Sequence, residues 1–219
     1  MYAIKTNTEN MKPRTLISFI IMGILVSSCV LSSLFPLFTE KDLRKDDGII
    51  GKWQVGLENE GIQYWIIEKL DTADIHGGFM GQPDTWSEYN SGKTYKLVAV
   101  QDSLEQEFAL HLLELNGIRY IDLYPVNVEA SPDFLAWHMV PTHIFGKIEV
   151  YENQLIIHFF DQDFFIKLIE QNRINIDHID MNGRQLITAG TDELQKFVTK
   201  YASESKAFQK PDTLPRLPI

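Results

Sequence analysis

Thiols are almost missing from this chain: Cys29 is its single cysteine. One thiol closes no intrachain disulfide and builds no cysteine-rich metal site, which excludes disulfide scaffolds and zinc ribbons. Positive charge is also short, with 20 Lys and Arg against 30 Asp and Glu and a formal charge of −10. Three of the cations, Lys5, Lys12 and Arg14, precede Cys29 beside only Glu9, so the remainder is more acidic still. Nucleic acids and anionic headgroups require a basic surface and are not expected as the main partner. Long apolar runs are lacking too. The most apolar stretch, Leu16–Val26, is interrupted by Ser18 and Gly23 and falls short of the roughly 20 residues that span a bilayer.

Catalytic signatures are equally scarce. His76-Gly77-Gly78-Phe79 has the look of an oxyanion loop, but no Gly-x-Ser-x-Gly elbow accompanies it, and that chemistry needs both. Gly92-Lys93-Thr94 matches the tail of a phosphate loop, yet Ser87 stands where its first glycine belongs and Tyr95 opens a strand. Asp161-Gln162-Asp163 starts like a calcium loop and then runs into Phe164-Phe165, so helix capping explains those carboxylates better. His138 and His143 flank Pro141, and with His158 or Asp122 they could gather around a metal only if the proline bends the strand. On a regular strand their spacing sends them to opposite faces. No enzyme activity, cofactor or metal is expected.

What is present begins at Met11. Lys12 and Arg14 form a positive segment ahead of the apolar Leu16–Val26, the pattern of an export signal, with residues 1–10 an upstream extension. The run ends in Val26-Ser27-Ser28-Cys29, which resembles the lipobox of bacterial lipoproteins. That resemblance implies cleavage between Ser28 and Cys29 and acylation of Cys29. Several acyl chains anchor a protein stably, so the implied location is the cell envelope, on the outer membrane of a Gram-negative bacterium. Residues 29–47 then read as the lipidated cysteine and a charged tether, and the folded domain is expected over 48–205. Pro211, Pro215 and Pro218 disfavour helix and interior strand, so 206–219 reads as an extended tail.

Between these ends, short apolar runs alternate with hairpin signals. Asn116-Gly117 and Asn182-Gly183 suit type I′ turns, and Glu152-Asn153 suggests a third hairpin. With runs at Gly51–Leu57, Tyr64–Lys69 and Tyr95–Gln101 and a strand ending near Val140, about eight to nine strands form an antiparallel meander. Closing it into a barrel removes the edges, and a barrel of that size can hold one small ligand. Two short helices are expected. One is capped by Asp161 or Asp163; the other is capped by Thr191 and carries the apolar stripe Leu194, Phe197, Val198 and Tyr201.

Gly51-Lys52-Trp53 resembles the Gly-x-Trp motif of lipocalins, where the tryptophan closes the barrel base, and the meander followed by a late helix is similar as well. The resemblance implies a lipocalin-like barrel with Gly51 and Trp53 at its base and a basic residue near the last strand, for which Arg184 is the candidate. The run Arg119–Phe159, with Leu186–Ala189 and Thr191–Gln195, also resembles a family of uncharacterised bacterial lipoproteins, which implies no activity. Among the many aromatics, Trp65, Tyr120, Trp137, Phe145 and Phe159 are the candidates to line an interior pocket. The leading expectation is a non-catalytic, membrane-anchored binder of a small apolar or amphipathic ligand. The alternative is an accessory subunit of an envelope protein assembly that uses the acidic surface, the tether and the proline-rich tail for its contacts.

Overall fold

The computed structural model describes residues 30–56, 63–70, 92–102, 104–126 and 140–218. Seven strands follow one another as an antiparallel meander: β3 (Gly51–Gln54), β4 (Gln63–Lys69), β5 (Thr94–Gln101), β6 (Leu104–Leu115), β7 (Ile118–Val126), β8 (His143–Val150) and β9 (Gln154–Phe159). The last strand, β12 (Asp212–Leu217), inserts between β9 and β3, and this closes an eight-stranded antiparallel barrel. Mainly β architecture with two short helices, α1 (Gln162–Glu170) and α2 (Thr191–Lys200), is what the patterning predicts. The β6–β7 turn has Asn116 at φ 51° and Gly117 at φ 78°, and Asn182 and Gly183 likewise take positive φ. Both pairs meet the demand of a type I′ turn.

Period-2 alternation sorts the side chains into two cores. Inside the barrel lie Trp53, Ile67, Tyr95, Leu97, Leu110, Leu112, Ile121, Leu123, Ile148, Leu155, Ile157, Phe159 and Leu214. On the outer face, Leu113, Tyr120, Phe145 and Phe160 meet Phe165 and Leu168 of α1, Leu194, Phe197 and Val198 of α2, and Phe208. Aromatic rings knit this second core, with Phe160 centred 4.4 Å from Phe208 and 5.9 Å from Phe197. Lys147 reaches across from β8, donates to the Ala202 carbonyl and lies over the Phe208 ring, which ties the end of α2 to the barrel. Asp161 caps α1 by accepting from the Phe164 N–H at 2.7 Å. Thr191 does not cap α2. Gly190 occupies that position, and the Thr191 hydroxyl donates to the Pro36 carbonyl instead.

Both chain ends depart from expectation. Residues 30–47 are not a free tether but a strap laid along the outer barrel wall. β1 (Ser32–Ser33) pairs with the first residues of β8 and with β11 (Arg184–Ile187), which pairs in turn with β10 (His178–Met181). β2 (Leu43–Arg44) pairs with Leu112 and Leu113 of β6 beyond the reach of β5. Leu31, Leu37 and Leu43 are buried in the outer core, so the apolar residues among the charges of this segment are core positions. The C-terminal segment, expected as a tail, supplies the closing strand. Arg216 N–H donates to Asn153 O on the β9 side. Since successive residues of a strand point their polar groups to opposite sides, Pro215 lacks its N–H only toward β3, where the recorded register begins at Arg216. The strand expected to end near Val140 falls on positions outside the described residues; Val140 itself precedes β8 and is in no strand.

Candidate functional site: the barrel and its two ends

By the alternating direction of the meander, β3 enters at one end of the barrel, here the base, and runs toward the other, the mouth. The base is sealed. Trp53 is fully buried and its Nε1–H donates to Ile49 O at 2.8 Å. The Arg216 guanidinium lies 4.0 Å from the centroid of the Trp53 ring. It donates to Ile50 O at 2.8 Å, Gly48 O at 2.6 Å and Glu152 O at 2.7 Å. Gly51 is required beside it: φ is +146°, and a Cβ there would come within 2.5 Å of Arg216 Nη1. Gly51 and Trp53 both lie at this end, and the basic side chain over Trp53 is Arg216, not Arg184. Arg184 is exposed on β11 opposite Met181. Arg216 escaped detection because three prolines disguised its strand; its placement between two of them was the only local signal.

Toward the mouth the same inward-facing rows become accessible. Val55, Trp65, Ala99, Phe108 and Ile144 pack on the interior cluster but are only partly buried, and each sits in or beyond the mouth-side half of its strand. Deeper positions on the same rows, such as Ile67, Leu97, Leu110 and Ile148, are buried. At the base, Ile50 and Val150 are half-buried on the rim. One step further out, Gln63, Gln101 and Gln106 continue the inward rows, with Gln63 paired to Gln101 and Gln106 to Ala99. The mouth therefore presents an apolar lining with the neutral amides of Gln63, Gln101 and Gln106 on the β4–β6 side of its rim, able to accept and donate hydrogen bonds, and with Asp212, paired to Ile157, at the mouth-side end of β12.

The structure divides the predicted lining residues. Trp65 and Phe159 belong to the barrel interior. Tyr120 and Phe145 do not: both are fully buried on the outer face, packed against the helices and the strap. Their register opposite Lys147 and Asp122 places them one residue out of phase with the inward rows. Burial pushes the Tyr120 hydroxyl up to about 12. Trp137, His138, the His76–Phe79 run and Cys29 lie outside the described residues.

Asp122, an unremarkable strand residue by sequence, is completely buried under the strap. One carboxylate oxygen lies 2.6 Å from His143 Nδ1 and the other accepts from the Leu37 N–H at 2.8 Å. His111 is its cross-strand neighbour, hydrogen-bonded to Thr94 at 3.0 Å and stacked on Phe38 at 4.3 Å. Burial pushes the His111 imidazole down to about 4. This network holds the strap to the wall. Ser33 is paired with His143, but its Oγ is buried and accepts from the Phe35 N–H, so the cluster presents no exposed nucleophile. His158 instead lies 3.5 Å from Glu149 on the outside, and among the described residues no His, Asp or Glu grouping could hold a metal ion.

The fold defines this protein as a small closed antiparallel β-barrel. Comparison with known protein families, characterised proteins and solved structures finds no match.

Proposed function

We propose that this protein is a lipid-anchored barrel of the cell envelope, attached through Cys29, that binds a small apolar or amphipathic molecule in its mouth without chemical conversion. The observation that carries the reading is the gradient along one set of inward rows: sealed at Trp53 and Arg216, accessible at Trp65, Ala99 and Phe108. Small-molecule sites are typically apolar concavities with a few polar groups at fixed positions, and the amide rim of Gln63, Gln101 and Gln106 supplies those groups. The lipobox-like Val26–Cys29 supports the anchor and the envelope location. The alternative, an accessory subunit whose contacts run through the acidic surface, residues 30–47 and the C-terminal segment, keeps only the first of these, because both segments are spent inside the fold.

Native mass spectrometry tests the proposal. Protein comprising the folded chain from Val30 onward is expected to carry excess mass that disappears on denaturation, and Ala99→Trp, which fills the mouth, is expected to remove it. Absence of excess mass, or excess mass untouched by Ala99→Trp, would refute ligand binding at this site.

A further inference from the structure

We propose that the barrel is held mouth-down on the bilayer, so that its ligand is a membrane lipid whose acyl chain passes directly between bilayer and barrel. This rests on the reading above, lipid anchoring included, and adds an orientation and a ligand class to it.

Four observations place the anchor and the mouth at the same end. Val30, one residue and about 3.8 Å of chain from Cys29, packs against the barrel-interior cluster. It also bridges to Asp161, just past the mouth-side end of β9. Ser32 and Ser33 then pair with Ile144 and His143, the mouth-side start of β8. Finally, two strongly exposed large apolar side chains, Leu104 at 68 % and Val140 at 60 %, stand at this end. Leu104 opens β6, and Val140 lies three residues ahead of β8.

A flexible tether would leave the barrel free to tumble above the membrane. Here the strap is fixed at its start: Leu31, Ser32 and Ser33 are buried, Leu31 N–H donates to Phe160 O, and Ser32 and Ser33 are paired on both sides. Acyl chains inserted from Cys29 therefore draw the mouth to the surface, and Leu104 and Val140 meet the headgroup boundary, where apolar side chains are stabilised by burial. The base cap of Arg216 and Trp53 faces away. A lipid leaving the bilayer through such a contact keeps its chain out of water, from acyl core to the Trp65–Phe108 lining, while its headgroup meets the amides of Gln63, Gln101 and Gln106 on one side of the rim.

The test uses the full-length, lipidated protein reconstituted into phosphatidylethanolamine and phosphatidylglycerol vesicles that contain acyl-brominated lipid. Leu104→Trp reports on the mouth and Tyr151→Trp, in the β8–β9 turn, on the base. The fluorescence added by Leu104→Trp is expected to lose at least half its intensity and that added by Tyr151→Trp to be unchanged. Quenching of the base reporter alone, of both equally, or of neither overturns the orientation. A Gly/Ser insertion of about 20 residues between Cys29 and Val30 then adds about 25 Å of slack. Transfer of a pyrene-labelled phospholipid between vesicles is expected to fall about tenfold as the effective concentration drops, with binding of a pyrene-labelled lysophospholipid offered in solution unchanged. Unaltered transfer overturns the direct-passage proposal. Failure of the parent protein to bind the lysophospholipid at all overturns the ligand-binding reading, and the quenching result still decides the orientation.

Discussion

The two ends of this barrel are built from the same alternating strands, yet they are closed by different means. At the base, specificity sits in the backbone: Gly51 clears the space for Arg216, whose guanidinium stacks on Trp53 and donates to carbonyls of Gly48, Ile50 and Glu152. At the mouth, among the described residues, the inward rows end in half-buried apolar side chains, glutamines and Asp212. Stability is thus concentrated at one end and accessibility at the other.

Paired truncations break this comparison most strongly. Trp53→Ala removes a fully buried ring and is expected to cost about 3–5 kcal/mol in denaturant unfolding, whereas Trp65→Ala costs less than half as much because its ring already reaches solvent. Trp65→Ala should instead weaken retention of the bound molecule in native mass spectrometry. Equal stability losses would show that the mouth is as tightly packed as the base.

A smaller effect isolates the cap. Arg216→Ala forfeits the stacking over Trp53 and three donated hydrogen bonds, and about 1–3 kcal/mol is expected. Arg184→Ala, on the exposed β11 hairpin, should change stability by no more than about 0.5 kcal/mol. Reversal of that order would return the capping role to Arg184.

The smallest expected effect is a pH dependence of the strap that joins the two ends. His111 is held neutral by burial, with its protonation pushed from 6.5 down to about 4. Between those values the unfolded chain takes up the proton and the folded one does not. The stability contribution of the neutral imidazole is therefore complete above pH 6.5 and is lost progressively as pH falls toward 4. Denaturant midpoints measured across this window should fall with acidity in the parent protein and fall less in His111→Asn; parallel curves would dissociate His111 from the effect.

The meander was readable because its signals are local. Asn116-Gly117 and Asn182-Gly183 impose their turns through positive φ, and the alternation from Ile148 to Phe159 carries one inward face across a hairpin. The candidate site was readable only in part. Trp65 and Phe159 are inside, but Tyr120 and Phe145 point outward, because choosing between the two faces of a doubly covered strand requires knowing what covers each. Both faces of β7 are apolar, Ile121 and Leu123 inside and Tyr120 outside, so its pattern does not distinguish them. Arg216 and Asp122 stayed hidden for related reasons: one lies in a proline-spaced strand, and the other draws its meaning from Leu37, 85 residues away.

By itself, the sequence determined what short-range physics decides: the hairpin turns, the strand periods, and a helix that starts at Asp161 or Asp163. Only the tertiary structure decided which segments are free and which are built in. A charged N-terminal stretch became a buried strap because Asp122 and β6 offered it partners, and a proline-rich C-terminus became the closing strand because a barrel with a gap between β9 and β3 leaves two unpaired edges. Such partners are distant in sequence, and no local propensity reports them.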